Sequence, residues 1–151
     1  MKSNYSKITI LLISAVLIGI VGCLFFYFEI WVPRKTIQDT VWWERSSPEE
    51  KRQLAHQILK YPIIGIHHDA FLILVDHGNK ESIPYLLNSL KWYDFFNKDE
   101  GFTVCTKDHC LEALRKVTGE DLGTNYVDWQ YIQNHKPADT EDRKRHVEKP
   151  Q

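Results

Sequence analysis

From Ile8 to Phe28 the chain carries no charged residue, and no other feature restricts its fold so sharply. These 21 residues match the roughly 20 apolar positions that a helix needs to cross a hydrocarbon layer about 30 Å thick. Apolar character runs all round the segment, without the polar stripe that a surface helix of a soluble domain keeps. Lys2 and Lys7 precede it, and Trp31 follows where aromatic rings favour the bilayer interface. After a short tail at 1–7, residues 8–28 are therefore expected to be a transmembrane signal anchor, and the chain a single-pass protein of the cell (inner) membrane. Basic residues scarcely separate the two flanks, since Lys2 and Lys7 face Arg34 and Lys35. A short tail kept inside with the larger domain carried across is the common arrangement, so the domain is expected outside the cytoplasm, in a periplasmic setting.

Ile20-Val21-Gly22-Cys23 also has the form of a bacterial lipobox, which would make Cys23 a lipidated N-terminus. The apolar run continues through Leu24–Phe28, where a mature lipoprotein is polar, and no small-x-small cleavage site is present. The expectation is an uncleaved anchor with Cys23 as apolar filler.

The rest of the 151 residues suits one modest helical domain. Of 19 Lys and Arg, two precede the anchor, leaving 17 against 20 acidic residues. That balance gives no cationic face for a phosphate backbone, so no nucleic acid is expected as partner. Val32-Pro33 is expected to end the anchor helix, with a juxtamembrane linker and short helix over 29–46. Ile37 and Val41 mark one side of that helix, and the adjacent Trp42 and Trp43 cannot both face one core. Ser47-Pro48-Glu49-Glu50 is a helix start with a capping box, followed by the stripe Leu54, Ala55, Ile58 and Leu59.

Ile66 to Leu90 reads as two helices joined by a tight turn. Ile66, Ala70, Phe71, Leu74 and Val75 recur at helical spacing, as do Ile83, Leu86, Leu87 and Leu90. Gly78 is placed to end the first in a left-handed conformation, and Asn79 to cap the second. One such pair leaves an apolar outer face that needs a neighbouring pair. A later unit runs from Thr106, expected as a cap, through Cys110, Leu111, Leu114 and Val117 to Gly119. A last helix, with Asn125 as its cap, bears Tyr126, Trp129 and Ile132. Leu86, Leu114 and Trp129 are expected core residues.

Ser82 to Leu90, SIPYLLNSL, resembles the opening of the second helix of a HEAT-like repeat. Cys110 to Trp129, CLEALRKVTGEDLGTNYVDW, is similar to the closing unit of bacterial HEAT-repeat proteins. The resemblance spans about Gly65 to His135 and departs at Asp69, where such repeats often carry Arg, and at Leu122, where Phe is common. It implies an all-α fold: a short HEAT-like stack of helical hairpins, an α-solenoid fragment of armadillo-like type, over 47–135, preceded by one N-terminal transmembrane helix. Leu74 and Leu114 lie 40 apart, within the period of such repeats. Residues 136–151, KPADTEDRKRHVEKPQ, lack an apolar stripe and read as a disordered charged tail.

Few residues suggest chemistry. Cys105 and Cys110 have a spacing compatible with a disulfide, the favoured state outside the cytoplasm. The alternatives are two free thiols, or a metal set with His109, although His109 and Cys110 diverge by about 100° on a helix. His67, His68 and His77, beside Asp69, lack the i, i+4 ligand pattern of a metalloprotease, so a small His-dependent metalloenzyme is the weaker reading. No nucleophile motif, phosphate-binding loop or carboxylate pair is present. No catalytic residue, cofactor, metal or small-molecule substrate is expected. The aromatic stretch Trp92, Tyr93, Phe95, Phe96 and Phe102 is instead expected as a loop that either packs back or docks a protein partner. The function expected is a non-enzymatic, membrane-anchored interaction or scaffold module at the cell envelope. The alternative is a subunit completing a larger helical-repeat assembly.

Overall fold

The computed structural model describes residues 2–61, 67–96 and 101–134, with side chains at 7–61, 67–95 and 106–132. Among the described residues every regular element is helical. Helix α1, Lys2–Phe26, passes through a π-helical turn at Tyr27–Trp31 into α2, Val32–Ile37. Phe26, Trp31 and Val32 all keep right-handed helical dihedrals, so one continuous helix crosses these boundaries. The segment Lys7–Ile37 is long and apolar enough to span a membrane, and its most apolar window is wholly unburied by the rest of the chain.

Pro33 therefore does not end the helix as expected. In α-helical geometry its ring would crowd the carbonyl four residues back, and it has no N–H to give. The wider π turn lies immediately before it, with the Val32 N–H bonded to the Tyr27 carbonyl, and this local widening accommodates the ring. Pro33 and Ile37 are buried, and Ile37 belongs to the hydrophobic core. Helix α3, Thr40–Arg45, is capped by Asp39, whose carboxylate accepts from the N–H of Val41 at 2.9 Å and of Trp42 at 3.4 Å. Trp42 and Trp43 are both half-buried against the core, edge to face at 5.9 Å, and Trp43 Nε1 donates to the Ile37 carbonyl at 2.6 Å. Within 29–46, expected as a linker and short helix, Ile37, Trp42 and Trp43 thus pack into or against the core, while Val41 is exposed.

Helix α4, Pro48–Leu59, has the expected capping box: Glu50 N–H donates to Ser47 Oγ, and Ser47 N–H to Glu50 Oε2. Its buried residues are the expected Leu54, Ala55, Ile58 and Leu59. Helices α5, His67–His77, α6, Ile83–Phe96, α7, Gly101–Thr118, and α8, Tyr126–Asn134, complete the described elements. The main contacts of α5 are with α4 and α7, while α6 packs on α7, α8 and α4. The hairpin expected from α5 and α6 is therefore replaced by the pairs α4–α5 and α6–α7, with α8 added at the end. The α5–α6 connection passes between pairs: Asn79 Oδ1 accepts from Glu81 N–H at the head of a short 3-10 turn, Lys80–Ser82.

Gly78 serves closeness of approach. It is not among the glycines with left-handed dihedrals. A Cβ there would lie 2.3 Å from the Leu74 carbonyl oxygen and 2.9 Å from a Val117 methyl on α7. Gly119, with φ of 74°, does end α7 in the left-handed conformation. Phe71, Leu74, Leu86, Leu90, Leu111, Leu114 and Trp129 are the fully buried centre of one continuous core.

Candidate functional site

The stretch expected as an aromatic loop is mostly helix. Helix α6 continues to Phe96 and α7 begins at Gly101, so Trp92, Tyr93 and Phe95 stand on the last turns of α6. Helical phase then separates them. Tyr93 points inward and is 6% exposed, Trp92 is half-buried, and Phe95 is 75% exposed. The side chains of Phe96 and Phe102 lie outside the described residues.

Beside Phe95, the C-terminal half of α6 and the start of α8 border a groove of about 450 Å³ lined by Asn88, Lys91, Trp92, Asp94, Phe95, Tyr126 and Val127. Val127 is 75% exposed, and Lys91 Nζ lies over the Tyr126 ring at 5.9 Å. Asp94 holds the groove together. Its Oδ1 accepts from Lys107 Nζ of α7 at 2.6 Å, and its Oδ2 accepts from the Tyr126 backbone N–H. A carboxylate at a helix N-terminus satisfies an otherwise unpaired donor and meets the positive end of the helix dipole. The cap expected from Asn125 thus comes from α6. Trp129, fully buried, donates from Nε1 to the Gly123 carbonyl at 2.9 Å and closes the turn before α8.

Under the groove's helix lies a buried polar pair. Tyr93 Oη and His67 Nδ1 are 2.9 Å apart, and His67 Nε2 faces the Tyr61 carbonyl at 3.4 Å. Burial holds the His67 imidazole below its ordinary pKa and pushes the Tyr93 phenol up. A neutral imidazole accepting from Tyr93 and donating to Tyr61 satisfies every polar atom of the pair. This arrangement is structural: neither ring opens to the groove.

Cys110 is a free, buried thiol whose Sγ donates to the Leu86 carbonyl at 3.4 Å, and burial raises its pKa. The expected Cys105–Cys110 disulfide is not made. The side chain of Cys105 lies outside the described residues, but α7 starts at Gly101, ahead of the expected Thr106 cap, and contains both cysteines. Five residues rise about 7.5 Å along a helix axis, beyond the roughly 7 Å Cα separation that a disulfide bridges.

The histidines are also dispersed. His67 is buried on Tyr93, His68 meets the His109 ring edge-on at 4.9 Å, and His77 lies at the end of α5. Among the described residues no group of three His, Cys, Asp or Glu is arranged to hold a metal ion. A second, smaller hollow of about 320 Å³ lies between Glu29, Gln53, His56, Gln57, Lys60 and Tyr85. His56 stacks on Tyr85 at 4.3 Å and shares a 2.8 Å hydrogen bond with Ser82.

No family profile matches this chain, and neither a curated protein nor a solved structure is found similar to it.

Proposed function

We propose that this chain is a membrane-anchored, non-enzymatic interaction module whose α6–α8 edge docks a protein partner. The observation that carries it is the exposure of Phe95 and Val127 at the rim of a groove whose floor is held by Asp94. Large rigid side chains contribute contact area with few rotors to freeze, so an exposed ring beside a preformed groove suits a protein surface. Alternate-helix packing, α4 on α6, α5 on α7 and α6 on α8, supports a HEAT-like stack. Lys7–Ile37 is its anchor, and the domain lies outside the cytoplasm. Protease added to intact spheroplasts digests a domain so placed; protection until lysis reverses the orientation.

A second reading has its own observation. Val127 and Tyr131, four apart on α8, are both exposed, at 75% and 60%. An apolar stripe on the last described helix of a stack suits a subunit that adds the next helical pair. One experiment serves both readings. A photoreactive phenylalanine analogue at position 95 or 131, in full-length protein in native cells, should crosslink a discrete partner at 95. Crosslinking at 131 alone favours stack completion, and none at either position removes the edge as a docking surface.

A further inference from the structure

The domain grips the end of the apolar helix at a point that fixes its height against a bilayer. Tyr61, just after α4, meets the Phe25 ring edge-on at 5.7 Å. The Glu29 carboxylate accepts from Tyr61 Oη and from Lys60 Nζ, each at 3.3 Å, and Gln57 Nε2 donates to the Phe28 carbonyl at 3.4 Å. Pro33 and Ile37 bury the other side of the junction, where α2 packs on α4. No flexible linker separates span from domain, since the helix is continuous through the π turn.

The span's length sets the depth of these contacts. Twenty-one uncharged residues from Ile8 to Phe28 rise about 31 Å, the thickness of a hydrocarbon core. Phe25 is then about one turn inside the boundary, and Tyr61, against it, is drawn to the boundary itself. Lys60 Nζ lies over the Tyr61 ring at 5.2 Å and Lys35 Nζ over the Trp31 ring at 5.2 Å. Cations resting on aromatic rings where an apolar span gives way to charged residues are the side-chain pattern of a membrane–water interface. The one acid among these contacts, Glu29, is neutralised by Lys60.

Resting on the proposal that α1 crosses the membrane, we infer that the C-terminal end of α4, Lys60–Tyr61, is a second membrane-contact site. It seats the domain on the lipid headgroup layer beside the span, and Glu29 is the strap that holds it there. The α6–α8 edge is thereby carried in a fixed orientation to the membrane, because α4 contacts α6 directly. The partner of this surface is a phospholipid bilayer.

Full-length protein in phosphatidylcholine nanodiscs, with and without a lipid bearing a nitroxide near the top of its acyl chain, tests the inference by amide signal loss. Signals of Tyr27 and Tyr61 should both be lost, while those of α8, whose main partner is α6, persist. Loss at Tyr27 with Tyr61 unaffected overturns the docking site and leaves the span intact. No loss at Tyr27 overturns the span, and the docking with it. Glu29→Ala should restore the Tyr61 signal and not the Tyr27 signal, with α5 and α7 resonances unmoved as proof of fold. Retained loss at Tyr61 in that variant removes Glu29 as the strap.

Discussion

The α5–α7 contact and the α6–α8 contact both carry apolar residues at helical spacing and end differently. Helix α5 packs on α7, and Ala70, Phe71, Ile73 and Leu74 of the one and Cys110, Leu111, Ala113 and Leu114 of the other are all buried. Gly78 removes the Cβ that would hold the end of α5 away from Val117. Helix α8, by contrast, buries Trp129, half-buries Tyr126 and Ile132, and leaves Val127 and Tyr131 outside, while Asp94 supplies the tie. A helix flanked on both sides turns its apolar stripe into core. Among the described residues the last helix, α8, has its main contact with α6 alone, and its remaining apolar residues stay on the surface.

The sharpest break in that comparison is Leu114→Ala. The side chain is fully buried at the centre of the α5–α7 side, so the change should cost about 2–5 kcal/mol. An unaltered thermal midpoint in detergent would take Leu114 out of the core. Gly78→Ala comes next. The added methyl clashes with both the Leu74 carbonyl and the Val117 methyl, and overpacking of this kind costs about 1–3 kcal/mol. Tolerance without loss of midpoint would mean that α5 and α7 do not approach as closely as described.

Asp94→Ala probes the other contact. It frees Lys107 and the Tyr126 N–H together, with a cost of about 1–3 kcal/mol. Amide exchange should accelerate at Tyr126–Trp129 and not in α5, and equal protection in both proteins would show that Asp94 is not the tie. His67 gives a smaller, pH-dependent effect. Burial lowers its pKa in the folded state, so near and below the unfolded value the unfolded chain binds a proton that the folded chain refuses. That contribution to stability is full above about pH 6.5 and declines as the pH falls below it, by at most about 1.4 kcal/mol per pH unit for one group. His56 acts in the same direction, through burial and then Arg52. Denaturant unfolding at about pH 7.5 and about pH 5.5 should show a smaller midpoint shift for His67→Gln than for the parent. An identical shift assigns the dependence elsewhere.

Elements governed by neighbours in sequence were legible in the chain itself. The Ser47–Glu50 capping box, the stripe of α4, the Asn79 cap and the end of α7 at Gly119 all depend on residues within a few positions. Leu86, Leu114 and Trp129 were readable as core because helical period alone decides their side. What failed depended on distant partners. Asp94 caps α8 across 32 residues and binds Lys107 across 13, and no local pattern marks it. Pairing α5 with α6 follows from their short turn, yet the main contacts of α5 are with α4 and α7, which no neighbour in sequence dictates. Pro33 read as a stop because the π turn that accommodates it has no sequence signature. Thr106 and Cys105 read as the region ahead of a helix, but the helix extends back to Gly101, and that extension separates the two cysteines beyond bridging distance. The aromatic cluster was visible as a candidate site; which ring faces out was decided by the helical phase of α6.

That phase supplies the smallest stability effect and the most direct test of the docking edge. Tyr93 and Phe95 are two residues apart, about 200° around the helix, so one is core and the other surface. Tyr93→Phe removes a buried hydroxyl and leaves His67 Nδ1 without its partner, with a cost of about 1–3 kcal/mol. Phe95→Ser removes a ring that is three-quarters exposed and should move stability by less than about 0.5 kcal/mol. If the edge docks a partner, the order of the two effects reverses in a crosslinking assay read from a photoreactive residue at position 127. Phe95→Ser then abolishes the partner band at unchanged midpoint, while Tyr93→Phe lowers the midpoint and keeps the band below its melting temperature. Should Phe95→Ser leave the band intact, the exposed ring is incidental and the partner, if one binds, meets another face. Should it instead unfold the domain, Phe95 belongs to a packed surface, and the distinction between the two sides of α6 is lost.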